Sequence, residues 1–151
     1  MFIRLRRRPR VYPWGSIMQQ KGKPHFQVTA GFLQRDGRVL ITKRPEGKHL
    51  AGFWEFPGGK QESGETLEAC LEREMKEELG IEVRVGKHLH TVHHEYEDRR
   101  VSLHLYLCTH LEGDLKLLDS QEIKWVSHED LPQYRFPPPD LKILRLLRDS
   151  V

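Results

Sequence analysis

Long apolar runs are missing from this chain. No segment approaches the ~20 consecutive apolar residues that a bilayer-spanning helix needs. The N-terminus also lacks the apolar core of a secretory signal. Neither a membrane span nor export is therefore expected. Cysteine is scarce as well. Cys70 and Cys108 are the only two, far apart and outside any CxxC spacing. They are expected as reduced, partly buried thiols of a cytoplasmic protein. Acidic residues are absent from the first 24 positions, which hold seven Lys/Arg. The overall charge of +3 thus hides a body with 18 basic against 22 acidic residues. An acidic body is not the footprint of a dedicated nucleic-acid binder, and no stable nucleic-acid partner is expected. Residues 1–21 read as a flexible, solvated basic tail ahead of one domain at 22–151. The tail's Arg-rich character faintly resembles a mitochondrial presequence, against which Pro9 and Pro13 argue. Met18 is an alternative start. No internal repeat or low-complexity stretch occurs.

What is present suits a single α/β domain with one core. His25–Leu33 is rich in strand formers, Asp36-Gly37 is a strong hairpin signal, and Arg38–Lys43 reads as the partner strand. Pro45–Gly52 is loop-like, and Pro57-Gly58-Gly59 is a sharp glycine turn. Thr66–Leu79 follows a helical pattern stopped by Gly80. Strands are expected at about 81–94 and 100–109, joined by a turn around Asp98, with a short one at Trp125-Val126. A helical turn opens at Ser127–Leu131. A last helix spans Asp140–Leu147, with Leu141, Leu144 and Leu147 on one face.

The helix at 66–79 cannot be explained by packing alone. At 100° per residue, Leu67, Cys70, Leu71, Met75 and Leu79 form its apolar arc. Glu74 and Glu78 fall inside that arc, and Glu77 lies at its edge. Carboxylates at i, i+3 and i+4 repel one another, and the helix C-terminus disfavours anions. Burial adds several kcal/mol per unpaired ion. Arg73 could orient one of them, but it projects more to the side. A divalent cation answers the whole cluster, and oxygen-only ligands suit Mg²⁺ or Mn²⁺. By contrast, the histidines at 88, 90, 93 and 94 meet no acidic motif and read as strand or loop residues rather than a zinc site.

The segment Gly59-Lys-Gln-Glu-Ser-Gly-Glu65, followed after seven residues by Arg73-Glu74-Met75-Lys76-Glu77-Glu78-Leu79-Gly80-Ile81, resembles a complete Nudix box. Ile41–Arg44, Trp54–Lys60 and Phe136–Asp140 extend the resemblance to the MutT-like branch, over about His25 to Leu147. The resemblance implies an α/β/α sandwich around a mixed sheet. It implies hydrolysis of a nucleoside triphosphate to the monophosphate and pyrophosphate. Glu74, Glu77, Glu78 and the Gly58 carbonyl would hold Mg²⁺, or Mn²⁺ in its place. Asp119 would supply a further acid, with Glu122 as its substitute. The family position usually reads Glu. Glu74 or Asp119 would serve as general base and Arg73 would orient the glutamates. Arg44, Gly59 and Lys60 would meet phosphate.

For the base, the resemblance points to Phe26, Val28, Phe56, Tyr96, Val101 and Asp140. Tyr96 could stack on it. The 8-oxoguanine-selective member carries Asn where this chain has Asp140, and the CTP pyrophosphohydrolase relatives carry Asp. An ionised Asp only accepts hydrogen bonds, which suits the exocyclic amine of cytosine. Asp140 could instead cap the final helix. The leading expectation is nucleotide-pool cleaning with 8-oxo-dGTP as substrate. The alternative is (d)CTP or 5-methyl-dCTP, and diadenosine polyphosphates or ADP-ribose rank lower. A rival of another class is a non-catalytic recognition module, which would predict a broken box. A monomer or homodimer is expected.

Overall fold

The computed structural model describes residues 22–47, 49–120 and 122–149. The expected tail at 1–21 lies outside the described residues. Among the described residues, no helix is long and apolar enough to cross a membrane.

Alternation along two long strands organises the fold. β1 (His25–Arg35) and β6 (Arg100–Glu112) run parallel, from His25 opposite Arg100 to Leu33 opposite Cys108. Side chains of a strand alternate between faces. Val28, Ala30, Phe32, Leu103 and Leu105 therefore enter one apolar cluster, and Leu33, Tyr106 and Cys108 enter another. β2 (Arg38–Lys43) returns antiparallel to β1, and β5 (Glu82–Glu95) lies antiparallel to β6. β7 (Glu122–Ser127) and the short β3 (Trp54–Glu55) both pair with β2. The Asp36-Gly37 turn is the expected two-residue hairpin. Both residues have positive φ, 50° and 76°, which matches the twist of the flanking strands.

The two faces carry one helix each, completing the expected α/β/α sandwich around a mixed sheet. α1 (Leu67–Leu79) lays Leu71, Met75 and Leu79 on Leu33, Leu40 and Tyr106. Thr66 caps it, accepting from the Ala69 N–H at 3.1 Å. Gly80 ends it in the left-handed conformation at φ 66°. α2 (Pro138–Asp149) covers the opposite face through Ile143, which is fully buried among Val28, Leu103 and Phe136.

Three local expectations change. The glycine turn at 58–59 is a strand, β4 (Gly58–Lys60), antiparallel to β1 across Val28–Ala30. Its glycines let it lie under α1, where tertiary contact overrides their turn preference. α2 begins at Pro138, not Asp140, because proline at a helix start gives up only an N–H that has no helical acceptor. Asp140 therefore stands inside the first turn and is no N-cap. Leu141 does not share the buried face, since it is 40% exposed while Ile143 and Asp140 point inward. A helical turn after β7 is present as a 3₁₀ turn at Leu131–Gln133.

Candidate active site

α1, β4 and the loop after β6 enclose one polar basin of about 460 Å³, lined by Gly58, Gly59, Lys60, Glu62, Arg73, Glu74, Glu77, Glu78, Leu118 and Asp119. The helix places the three glutamates by its 3.6-residue period. Glu74 is mostly covered and Glu77 mostly exposed, with side-chain exposures of 16% and 59%. Glu78 is half-buried and accepts the Gly58 N–H at 3.4 Å. A Cβ at Gly59 would run into the Glu74 carboxylate where it now stands. A Cβ at Gly58 would meet the Thr29 carbonyl in the same way. The Gly59 carbonyl accepts from Thr29 Oγ1 at 3.2 Å and from Cys70 Sγ at 3.6 Å, so β4 is locked under the helix from two sides.

Arg73 does more than orient one acid. Its guanidinium grips Glu65 with two parallel bonds, Nε to Oε2 at 2.9 Å and Nη2 to Oε1 at 2.7 Å. Nη1 donates to Glu74 at 3.0 Å and Glu77 at 3.1 Å, and Nη2 also reaches the Lys60 carbonyl at 3.2 Å. The pairing holds the Glu65 carboxyl down to about 2, chiefly through its hydrogen bonds from Arg73. Glu65 and Arg73 thus form a strut between the loop after β4 and the middle of α1.

The remaining acids are electrostatically unsettled. Burial pushes Glu74 up to about 7 against the pull of Arg73, with Glu77 and Asp119 adding to the rise. Burial, then the neighbouring Glu74, pushes Glu78 up to about 8. Asp119 is exposed but faces the same basin. Glu122 does not line it; its carboxylate pairs with Lys124 at 3.7 Å. Among the described residues, no three His, Cys, Asp or Glu side chains are drawn together closely enough to share one ion. Mutual repulsion and the claim of Arg73 on both Glu74 and Glu77 account for that spacing. The donor chemistry nevertheless fits a hard divalent cation. All candidates are oxygens, and two of them are covered carboxylates that gain most from an added positive charge.

A second, tighter pocket lies beside Asp140. It is lined by Val28, Arg44, His49, Leu50, Tyr96, Arg99, Val101, Pro137, Pro139 and Asp140. At about 20 Å³ it holds little more than one water and is too small for a nucleobase as it stands. Asp140 is 0% exposed. Its Oδ2 accepts the Phe56 N–H at 3.4 Å, whereas its Oδ1 has no hydrogen-bond partner. Burial raises its carboxyl to about 6 despite the pull of Phe56 N–H and Arg44.

The structure distributes the sequence-predicted residues as follows. Lys60 and Gly59 line the acidic basin, and Lys60 Nζ also sits 4.1 Å from the Phe26 ring centre. Arg44 lies with the Asp140 pocket instead, 2% exposed and 3.8 Å from the Glu55 carboxylate. Burial lowers it to about 10. The Phe56 ring is wholly inside the core, stacked on Phe136 at 5.7 Å, and only its backbone N–H reaches the pocket. Phe26 packs against the core and does not line the pocket. Tyr96 does line it, but Arg99 sits over its ring at 4.7 Å and His94 meets it edge-on at 4.6 Å. Sequence reasoning missed Arg99. Its Nε is buried without a partner, and its place on a turn between strands gives no periodic signal. Glu65, visible in the box, acquires its partner only through the fold.

The match to known proteins agrees with this geometry. The NUDIX domain model matches residues 28–146, and the chain belongs to the Nudix family. It is 37% identical over 119 residues to the CTP pyrophosphohydrolase of Escherichia coli K12, covering 79% of this chain and 88% of that one. It is 42% identical over 99 residues to the 8-oxo-dGTP diphosphatase of Proteus vulgaris, covering 65% and 87%. Among solved structures, the E. coli ORF135 protein superposes with a TM-score of 0.76 at 35% identity, covering 84% of this chain and 91% of that one.

Proposed function

We propose that this chain is a nucleoside triphosphate pyrophosphohydrolase, splitting a (d)NTP with water into the monophosphate and pyrophosphate. The observation that carries the reading is the acidic basin, where Glu74 and Glu78 are held half-covered with raised proton affinity beside Glu77 and Asp119. Nothing in packing rewards that arrangement; a bound divalent cation does. Glu74, Glu77, Glu78 and Asp119 would hold Mg²⁺ or Mn²⁺, with the Gly58 carbonyl as a further oxygen. Such a cation supplies charge neutralisation for the phosphates and a more acidic bound water.

The chain's own residues do the rest. Phosphoryl transfer depends on positioning and on fixed charge more than on covalent help. Arg73, clamped by Glu65, holds Glu74 and Glu77 in register with the basin. Lys60 extends the positive charge along the basin wall. Glu74 or Asp119, both facing the basin, would take the proton of the attacking water as general base. Arg44 lines the Asp140 pocket beside Glu55 and would meet the substrate's phosphates from that side.

The leading substrate is 8-oxo-dGTP, with nucleotide-pool sanitation as the role, on the weight of the relatives named 8-oxo-dGTP diphosphatase. A second reading, cytidine triphosphates, draws on one observation. Asp140 Oδ1 is a buried acceptor without a donor, and the exocyclic amine of cytosine would supply one. The test is a comparison of kcat/KM for 8-oxo-dGTP, dGTP, CTP, dCTP and 5-methyl-dCTP with Mg²⁺, scored by pyrophosphate release. Preference for 8-oxo-dGTP upholds the first reading and preference for a cytidine nucleotide the second. Turnover of none of them sinks both.

A further inference from the structure

An α-helix ends with four carbonyls that have no partner inside the helix. At the end of α1, the Gly80 N–H takes the Lys76 carbonyl at 3.0 Å. Two more are taken by the loop that follows β6. The Lys116 N–H donates to the Leu79 carbonyl at 2.9 Å, and the Leu118 N–H to the Glu78 carbonyl at 3.1 Å. Asp119 comes next and faces the basin. Glu78 therefore acts at both ends. Its carboxylate lines the basin, and its main-chain carbonyl holds the loop that carries Asp119.

Gly113 opens this loop. Its φ of 91° lies in the left-handed region, and a Cβ there would stand 2.7 Å from the Gly80 carbonyl oxygen and 3.3 Å from Ile81 Cα. Both obstacles are backbone, so neither can swing aside. Gly80 is itself left-handed at φ 66°. Two glycines thus lie back to back where the helix ends and the loop begins, and the loop's N–H groups reach the helix carbonyls a few residues on.

We propose that Gly113 is a positioning residue for the acidic basin: its backbone contact with Gly80 seats the 113–119 loop on the end of α1 and so fixes Asp119 beside Glu78. The inference rests on reading the basin as a divalent-cation site. Gly113 touches neither cation nor substrate. It acts through Asp119, and its removal should mimic the loss of that carboxylate.

The experiment uses the full chain and Mn²⁺ alone as probe, with free Mn²⁺ read by electron paramagnetic resonance. The proteins are wild type, Gly113→Ala, Asp119→Asn and the double variant, each with its thermal midpoint recorded. Gly113→Ala should weaken Mn²⁺ binding about tenfold, as loss of a ligand's support does. Asp119→Asn should do the same, and the double variant should bind no more weakly than Asp119→Asn alone, since both changes act on one contact. In Mg²⁺-supported hydrolysis, Gly113→Ala should lower kcat more than it raises KM. Should Gly113→Ala fail to fold, Leu118→Pro removes one loop N–H at an exposed position and enters the same comparison. Unchanged Mn²⁺ affinity in the folded variant overturns the proposal, and so does a loss that adds fully to that of Asp119→Asn. A wild-type chain that binds no Mn²⁺ and hydrolyses nothing with Mg²⁺ removes the basin reading as well, an outcome distinct from the other two.

Discussion

Asp140 offers a direct test of whether this fold gives up stability to keep a buried carboxylate. The carboxyl is fully buried, accepts a single long bond from the Phe56 N–H, and is raised from its ordinary 3.8 to about 6. An acid whose folded-state pKa is raised destabilises the fold once it ionises. The cost is absent below 3.8, grows as pH rises towards 6, and is constant above that. The rise corresponds to about 3 kcal/mol at neutral pH. Asp140→Asn keeps the shape and removes the charge, but it also takes a counter-charge from buried Arg44. A net gain of about 1–2 kcal/mol at pH 7.5 is expected, or about 3–6 °C in thermal midpoint for a chain of this size. Urea unfolding of both proteins at pH 7.5 and pH 4.5 is the assay. The advantage of the variant should shrink by about 2 kcal/mol at the lower pH, where the folded wild type holds the proton. An advantage that is equal at both pH values, or a variant less stable at pH 7.5, would refute the reasoning that the ionised carboxylate is the strained group. The same substitution should move the kcat/KM ratio away from cytidine nucleotides and towards 8-oxo-dGTP, because an amide both donates and accepts.

Two further outcomes follow from the site. Glu78→Gln should cut Mg²⁺-supported turnover by about a hundredfold or more, while its thermal midpoint at pH 8.5 in a chelator holds or rises, because the replaced carboxyl is pushed up to about 8 and ionises at a cost; unchanged turnover would count against the basin. Cys70 and Cys108 are buried, and burial raises them to about 11 and about 12, so a chromogenic disulfide reagent at pH 8 should label the native chain far more slowly than the urea-unfolded chain; equal rates would show that the sheet–helix interface is open.

Much of this protein is legible in the residues alone. The hairpin at Asp36-Gly37, the helix between Thr66 and Gly80, and the presence of acids on its core-facing arc all follow from local rules: which residues accept positive φ, which cap, and where a 3.6-residue period points. The spacing Gly59 to Ile81 carries the family because its chemistry is concentrated in one short stretch. What local rules could not reach depends on contacts distant in the chain. Gly58 and Gly59 read as a turn, yet they form a strand so close to Thr29 and Glu74 that a Cβ would run into either where it now stands. Arg44 is expected from the sequence to meet phosphate, yet the fold buries it against Glu55 and near Asp140, away from the acidic basin. Arg73 has Glu65 as its main partner across eight residues because the loop after β4 lies along the middle of α1. The sequence determined the hairpin, the long strands, the helix at 67–79 and which of its carboxylates face inward, because those depend on neighbours along the chain. Tertiary packing alone decided which acid was left with a free oxygen and which loop delivered Asp119, because burial and the pairing of distant polar groups exist only once the layers close.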